Sequence, residues 1–195
     1  MPAIYSQIMV DPPWPKGKAG LRKVRAKQTK SLDYQTLTVA EIFTILDGEI
    51  FPQATDTHNV FMWTIDGFLH ESECLMQERG YRRHARLIWD KGNGIAPAFT
   101  VRYTHEYLVW FYKPKLLPIA REQRGKWTTV LSERSRQHSR KPDVAYRLIR
   151  ELYPIDNCLD VFSREERPGW AQWGNQTDYF KAVTDGESRT QPHEK

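Results

Sequence analysis

The stretch Ile8-Met9-Val10-Asp11-Pro12-Pro13-Trp14 joins an apolar run to an acid, two prolines and a tryptophan. Such an apolar run is typical of the end of a buried strand, and open α/β sheets bind ligands beyond the carboxyl ends of their strands. The prolines stiffen the chain and remove two backbone donors, so we expect the local carbonyls to stay free as hydrogen-bond acceptors. A rigid acceptor site beside a large ring suits a flat group with N–H donors, such as the exocyclic amine of a nucleobase.

Strand and helix patterns alternate outward from this stretch. Short runs rich in β-branched and aromatic residues predict strands at residues 4–10, 59–63, 85–89, 107–112 and 158–162. Helix signals predict a first helix after a capping box at Thr38 and Glu41, a second that Asp66 caps and that runs to Gly80, and a third from Pro142 to Pro154. The alternation predicts an α/β fold with a mostly parallel sheet covered by helices on both faces.

Composition narrows the class of protein. A chain of 195 residues with 39% hydrophobic and 12% aromatic residues is long and apolar enough for one globular domain. Its two cysteines, Cys74 and Cys158, form no CxxC motif, and its six histidines show no metal-ligand spacing, so we expect neither a disulfide scaffold nor a metal site. No long apolar run or signal-peptide pattern occurs, and this predicts a cytoplasmic protein with no membrane association.

The positive charge is concentrated in two segments. Residues 15–32 hold seven Lys or Arg and no acid, and residues 113–141 hold nine against Glu122 and Glu133, in a chain of net charge +5. Both segments are predicted to be long loops, and solvated surface loops are one interpretation of them. Because they flank the candidate ligand site, we favour contacts with the phosphates of a nucleic acid. No glycine-rich dinucleotide motif or nucleophile elbow supports a nicotinamide enzyme or a serine hydrolase.

Asp11-Pro12-Pro13-Trp14 matches the DPPW signature of the MT-A70 adenine N6-methyltransferases. Further segments resemble this family in the same order over roughly residues 8–176: Tyr34-Gln35-Thr36-Leu37-Thr38, Phe61-Met62-Trp63, Arg86-Leu87-Ile88-Trp89-Asp90-Lys91, His105-Glu106-Tyr107-Leu108-Val109, Ser139-Arg140-Lys141-Pro142-Asp143, Asp160-Val161-Phe162-Ser163-Arg164, Pro168-Gly169-Trp170 and Trp173-Gly174-Asn175-Gln176. The resemblance implies a Rossmann-like class I methyltransferase fold with permuted motif order, in which the catalytic motif precedes part of the cofactor site. It implies one domain over residues 1–180, with basic loops at 15–32 and 113–141 and a flexible tail at 181–195.

The family resemblance also implies roles for individual residues. The catalytic set is Asp11, Pro12, Pro13 and Trp14: the Asp11 carboxylate and the Pro12 carbonyl accept the two N–H groups of adenine N6, and the Trp14 ring stacks on the base. S-adenosylmethionine is the implied cofactor, with contacts from Asp11, Lys141, Asp160, Arg164, Asn175 and Gln176. The implied substrate contacts are Trp14, Lys16, Arg22, Lys23, Arg25, Tyr34 and His105.

Structural interpretations stand beside several of these roles. Asp11 in isolation would be read as a strand-end residue that caps a turn, and Lys141 as a solvated lysine. Arg164 has Glu165 and Glu166 next to it as candidate ion-pair partners, and His105 is equally well explained as a hydrogen-bonded structural histidine.

Two departures from the family pattern stand out. Residues 165–167 read Glu-Glu-Arg, where the family usually carries a stretch with His and Asn. Only ten residues precede Asp11, so the wall that cradles the cofactor adenine in larger members is expected to be missing or rebuilt.

The function that fits best is methyl transfer from S-adenosylmethionine to adenine N6 in DNA, by a small bacterial or phage-type enzyme. Methylation of adenine in RNA is the nearest alternative. A non-catalytic nucleic-acid-binding subunit that keeps the fold is the alternative from another class. A homodimer is a further expectation, since one small domain offers little surface to hold a duplex.

Overall fold

The computed structural model describes residues 4–15, 35–92, 101, 103–137 and 139–180. Within these ranges seven strands form one sheet, accompanied by three α-helices. The strands are β1 Tyr5–Val10, β2 Ala54–Thr64, β3 Arg82–Asp90, β4 His105–Lys113, β5 Val130–Ser132, β6 Cys158–Val161 and β7 Trp170–Trp173. The helices are α1 Val39–Ile45, which continues through a π-helical turn Leu46–Ile50 and a 3₁₀ turn Phe51–Gln53, α2 Asp66–Glu78 and α3 Asp143–Leu152.

The sheet has the strand order β5-β3-β4-β2-β1-β6-β7. Strand β4 pairs antiparallel with β2 and β3, and all other pairs are parallel. The prediction of a mostly parallel α/β sheet is confirmed. The chain leaves β1 toward β2 on one side, whereas β6 lies on the other side, so the strand order reverses at β1. A crevice at the carboxyl end of β1 is therefore where ligands bind in open sheets of this kind, and Asp11 is the first residue beyond that end.

Two apolar layers cover the two faces of the sheet. Met9, Phe61 and Trp63 belong to the layer that packs under α3. Ile8 and Val10, which point to the opposite face because strand residues alternate, belong to the layer under α1 and α2. The expectation of helices on both faces is confirmed.

Local signals placed the helices correctly, with one exception. The capping box at α1 is present: Glu41 N–H donates to Thr38 Oγ1 at 3.2 Å, and Thr38 N–H donates to Glu41 Oε2 at 2.7 Å. The prediction that Asp66 caps α2 is wrong by one residue, because Ile65 is the N-cap and Asp66 is the first helical residue. There its carboxylate still lies where the helix dipole favours an anion.

The second basic segment is not the single long loop that was expected. A 3₁₀ turn, Arg121–Gln123, and strand β5 lie within residues 113–141. Three-residue elements give too short a pattern to be recognised in a sequence. Residues 16–34, which include nearly all of the first basic segment, and the tail 181–195 lie outside the described residues. In the part of the chain that the structure describes, no helix is long and apolar enough to cross a bilayer.

Candidate active site

A cavity of about 1190 Å³ opens at the carboxyl edge of the sheet, around the end of β1. Its walls come from the loops that follow β1, β2, β3, β6 and β7 and from the segment that leads into α3. This is the crevice at which the strand order reverses.

Four side chains of alternating charge line up on the floor of the cavity. Lys141 Nζ lies 2.9 Å from Asp11 Oδ1 and 3.0 Å from Glu106 Oε2. Glu106 Oε1 lies 2.6 Å from Lys91 Nζ. The residues come from four places in the sequence: the end of β1, the end of β3, the beginning of the reversed strand β4, and the residue before the N-cap of α3. We call these four residues the charge row.

Burial and pairing oppose each other in the charge row. Burial raises the pKa of Asp11, and the nearby Lys141 ammonium lowers it without fully cancelling the rise. Burial works against the charged form of Glu106 too, but two lysines lower its pKa to about 2. Burial alone would lower the pKa of Lys141, yet the two carboxylates raise it above its ordinary value. The Lys141 ammonium thus interacts with both Asp11 and Glu106. It therefore offsets only part of the effect that burial has on the pKa of Asp11.

The backbone of the DPPW turn folds back on itself. Trp14 N–H donates to the Pro12 carbonyl at 2.8 Å, and Leu37 N–H donates to the Pro13 carbonyl at 3.0 Å. The expectation that these carbonyls stay free is wrong, because the chain turns sharply after the prolines and brings its own donors back to them. A carbonyl oxygen has two lone pairs, so the Pro12 oxygen keeps the capacity for one further donor.

The Trp14 ring is fixed at the mouth of the cavity. Its Nε1–H donates to the Trp63 carbonyl at 3.0 Å, and its ring stacks on Phe68 with centroids 5.1 Å apart and planes 9° apart. Trp14 also lines the cavity. Phe68 covers one face of the indole, so stacking on a substrate base depends on the opposite face.

The MT-A70 family model matches residues 5–176. The chain belongs to the MT-A70 family. It is 26% identical over 184 residues to the Type II methyltransferase M.MunI of a Mycoplasma species, covering 87% of this chain and 76% of that protein. It is 24% identical over 187 residues to an MT-A70-like N(6)-adenosine-methyltransferase of Arabidopsis thaliana, covering 93% of this chain and 25% of the plant protein. A 55-residue stretch is 38% identical to the mouse N(6)-adenine-specific methyltransferase METTL4, covering 25% of this chain and 12% of that protein.

Because the chain belongs to the MT-A70 family, its sheet and helices are identified as the Rossmann-like methyltransferase fold. Membership in this family also places the chain among adenine N6-methyltransferases. The chain spans most of M.MunI but only about a quarter of the plant relative.

Most of the cofactor residues that the MT-A70 resemblance implied come together. Asp11, Lys141, Arg164, Asn175 and Gln176 all line the cavity. The Arg164 guanidinium lies 3.9 Å above the Tyr179 ring. Glu165, one of the two acids offered as its ion-pair partner, instead contacts Arg140 and Arg167.

Asp160 is placed differently from the expectation. Its side chain is buried behind the wall of the cavity, where Tyr146 Oη donates to Oδ2 at 3.0 Å. It is not among the residues that line the cavity. Burial raises the pKa of Asp160 to about 7, against the opposing effect of Arg167. This placement argues against a direct contact between the Asp160 carboxylate and the ribose of a cofactor.

The structure describes only two of the residues that were predicted to contact the substrate, Trp14 and His105. Trp14 lies at the cavity as expected. His105 does not line the cavity: its ring packs against the Tyr107 ring, with centroids 4.9 Å apart, on the face of β4 opposite to Glu106, and its contact with substrate stays a prediction. The other predicted substrate residues fall outside the described ranges, and they are Lys16, Arg22, Lys23, Arg25 and Tyr34.

Sequence reasoning missed two members of the charge row, Lys91 and Glu106. Glu106 is adjacent to His105, and only the alternation of β4 decides which of the two faces the cavity. That alternation is hidden in the sequence, because β4 is apolar on both faces: Leu108 and Trp110 on one side, Val109 and Phe111 on the other.

The cavity fits the polar groups of an S-adenosylmethionine molecule. Lys141 has three N–H donors and uses two of them on carboxylates. The buried Trp63 Nε1–H has no hydrogen-bond partner among the described residues, and Trp63 lines the cavity. Gly174 adopts a φ of +154°, and a Cβ there would meet the Ser163 carbonyl oxygen at 3.3 Å, so the chain passes closely at this wall.

Proposed function

We propose that this protein transfers a methyl group from S-adenosylmethionine to the N6 amine of adenine in DNA. The observation that carries the proposal is the Asp11 carboxylate, held 2.9 Å from the Lys141 ammonium at the carboxyl end of β1 and open to a large cavity. Membership in the MT-A70 family supports the same chemistry.

The Asp11-Pro12 pair addresses the poor nucleophilicity of the N6 amine, whose lone pair is delocalised into the adenine ring. The Asp11 carboxylate accepts one N6–H, and the Pro12 oxygen accepts the other through its remaining lone pair. S-adenosylmethionine supplies a methyl group on a cationic sulfur, which keeps the electron pair of the broken bond. When both N–H groups of N6 are held in this way, the nitrogen lone pair points toward the methyl carbon. It becomes localised on the nitrogen as the new N–C bond forms. Orientation of this kind contributes up to about 7–11 kcal/mol to a barrier.

Asp11 is also suited to the proton balance of the reaction. The methylated nitrogen must release one proton, and the Asp11 carboxylate already accepts a hydrogen bond from that N–H. Its pKa is raised by burial, so it is a better proton acceptor than an exposed aspartate. Lys141 keeps the carboxylate ionised before the reaction by its charge and its hydrogen bond.

Cofactor contacts are assigned to residues of three walls. Lys141 offers its third N–H to the methionine carboxylate of the cofactor. Asn175 and Gln176, after β7, carry both donors and acceptors for the ribose and adenine. Arg164 lies beside them, after β6.

DNA is the favoured polymer because M.MunI, which matches over 76% of its own length, is a Type II methyltransferase. A target adenine in a duplex would have to leave the base stack to reach Asp11, at a cost of a few kcal/mol. RNA is the second candidate, since the plant relatives that cover 93% of this chain are named N(6)-adenosine-methyltransferases.

The first test is methyl transfer from labelled S-adenosylmethionine to adenine-containing DNA oligonucleotides, with N6-methyladenine identified by mass spectrometry. We expect activity for the wild type and a loss of at least about 100-fold for Asp11→Asn, because the variant keeps its shape but loses the acceptor charge. Asp47→Asn, which removes a carboxylate in a surface ion pair with Arg79, is the matched control and should keep full activity.

The same assay separates the alternatives. Transfer to RNA oligonucleotides but not to DNA would move the proposal to an RNA methyltransferase. A wild type that binds nucleic acid and methylates none of it would favour the non-catalytic subunit. Methylation-sensitive sequencing of DNA from cells that express the chain then gives the target motif.

A further inference from the structure

The carbonyl of Lys141 accepts hydrogen bonds from two arginines, one in the loop before α3 and one in the loop after β6. Arg136 Nη2 donates to the Lys141 carbonyl at 3.1 Å, and Arg167 Nη2 donates to the same oxygen at 3.2 Å. The carbonyl of a residue whose ammonium sits in the charge row is therefore anchored from two sides.

Arg167 is itself held by two carboxylates and an aromatic ring. Its guanidinium lies 2.8 Å from Glu165 Oε2, 3.1 Å from Asp143 Oδ1 and 3.8 Å above the Tyr146 ring. Only 10% of its side chain is exposed. Glu165 is tied in turn to Arg140, which precedes Lys141. These ion pairs hold the loop after β6 against the loop before α3, and both loops line the cavity.

We propose that Arg167 is a positioning residue for the methyl transfer proposed above: by holding the Lys141 carbonyl, it keeps the Lys141 ammonium between Asp11 and Glu106. Arg167 is the last residue of the Glu-Glu-Arg stretch at residues 165–167. The planar fork of a guanidinium can bridge a carbonyl and two carboxylates at once, whereas a lysine ammonium cannot reproduce that geometry.

A shift of the Lys141 main chain would change the pKa of Asp11. The charged and titratable groups that act on this carboxylate are Lys141, Glu106, Arg164, Asp160 and Tyr146. If the Lys141 main chain shifts, Asp11 keeps its burial and the repulsion from Glu106 but loses its nearest cation. Its proton affinity must then rise, because an opposite charge within about 4–6 Å favours the ionised form.

Carboxyl-carbon NMR titration of the isotope-labelled full chain tests this without relying on activity, with the Asp11 signal assigned by its loss in Asp11→Asn. We expect the pKa of Asp11 to rise by about one unit in Arg167→Gln. Arg79→Gln, which breaks an equally close ion pair remote from the cavity, is the control and should leave the pKa unchanged. Glu165→Gln, which loosens Arg167 from its partner, should give a shift of the same sign and also serves if Arg167→Gln does not fold. An unchanged Asp11 pKa in folded Arg167→Gln, or in Glu165→Gln if only that variant folds, overturns the proposal.

The rate of methyl transfer provides the second readout. The acid limb of kcat against pH should move to higher pH in Arg167→Gln, since more Asp11 is protonated at a given pH. Arg167→Lys should restore the limb only in part. A lower melting temperature with an unshifted limb would show a merely structural role and would also overturn the proposal. A wild type inactive on all nucleic acids would refute the proposed function alone, because the NMR shift is judged separately.

Discussion

Asp160 is a buried titratable side chain that can make the stability of the fold depend on pH. It is 2% exposed, accepts a hydrogen bond from Tyr146, and its Oδ1 has no partner among the described residues. Burial raises the pKa of Asp160 to about 7. The folded state therefore binds this proton much more tightly than the unfolded chain, in which an aspartate has a pKa of about 3.9.

The free energy of unfolding should consequently depend on pH through Asp160. Its protonation stabilises the fold fully below about pH 4, and the contribution is lost as the pH rises toward 7, by up to about 1.4 kcal/mol per pH unit. Asp160→Asn removes the titration but keeps an acceptor for Tyr146. The stability of Asp160→Asn relative to the wild type should therefore increase between pH 4 and 7, as measured by urea unfolding. A constant difference across that range would mean that Asp160 is ionised throughout.

At the residue scale, the sequence identified Asp11 and Lys141 but could not show that they touch. Their juxtaposition depends on α3 returning its first turn to the end of β1, over a separation of 130 positions in the chain. Motif resemblance supplied what local pattern could not. The role of Glu106 was missed because no local rule distinguishes the two faces of a strand that is buried on both.

At the scale of elements, the junction of β7 with the loop that follows it is built around Gly174. The positive φ favours glycine there, and a Cβ would lie 3.3 Å from the Ser163 oxygen, which is a tight contact. The next two residues, Asn175 and Gln176, line the cavity. The element that carries two proposed cofactor contacts is thus fixed by a close backbone approach and not by side-chain packing alone.

Gly174→Ala should weaken cofactor binding more than it weakens the fold. Strain at such a position costs about 1–3 kcal/mol, and the neighbouring loop can relieve part of it by moving outward with Asn175. Calorimetric titration with S-adenosylhomocysteine should show about a tenfold loss of affinity or more. Gly48→Ala is the matched control, since a Cβ at Gly48 meets nothing within 4 Å. Equal affinities in the two variants would argue against a role for this junction in binding.

Elements with a clear apolar pattern were predictable, and short elements without one were not. Strands β1, β2, β3, β4 and β6 and all three helices follow from apolar patterns and capping signals. Strands β5 and β7 were missed because only one residue of each is fully buried, whereas β6, which is no longer than β7, is buried along its whole length. Their place in the sheet is decided by neighbouring strands that offer unpaired backbone groups.

At the scale of the whole molecule, several charges of the second basic segment fall into two groups. In the second segment, Lys113 donates to the Arg79 carbonyl, and Arg136, Arg140 and Lys141 pair with acids of the protein. Its exposed Arg121, Arg124 and Lys126 adjoin Ala120, whose N–H donates to the carbonyl of Leu152 at the far end of α3. These three therefore lie away from the cavity, and contacts of the first segment with phosphates near the target base stay a prediction, because nearly all of that segment lies outside the described residues.

The salt dependence of DNA binding tests this prediction. Replacing Arg22, Lys23 and Arg25 by alanine should weaken binding and reduce the slope of log K against log salt by about 0.9 for each phosphate that the variant no longer neutralises. Replacing Arg121, Arg124 and Lys126 removes the same charge and is the control, with the slope expected to stay near that of the wild type. Cofactor affinity should change in neither variant. A slope that falls equally in both would point to a diffuse field instead of a defined interface.

Strand β1 leads directly into Asp11 and is synthesised before its neighbours, yet it ends up in the interior of the sheet, between β2 and β6. The edge of β1 that pairs with β6 has no partner until β6 is synthesised, about 150 residues later. A nascent chain thus exposes an open edge on a largely apolar strand until β6 has left the ribosome, and such an edge is a template for mispairing. Slow translation of the stretch before β6 would prolong that exposure, and the yield of the protein in cells would then depend on chaperones as well as on the stability of the folded state.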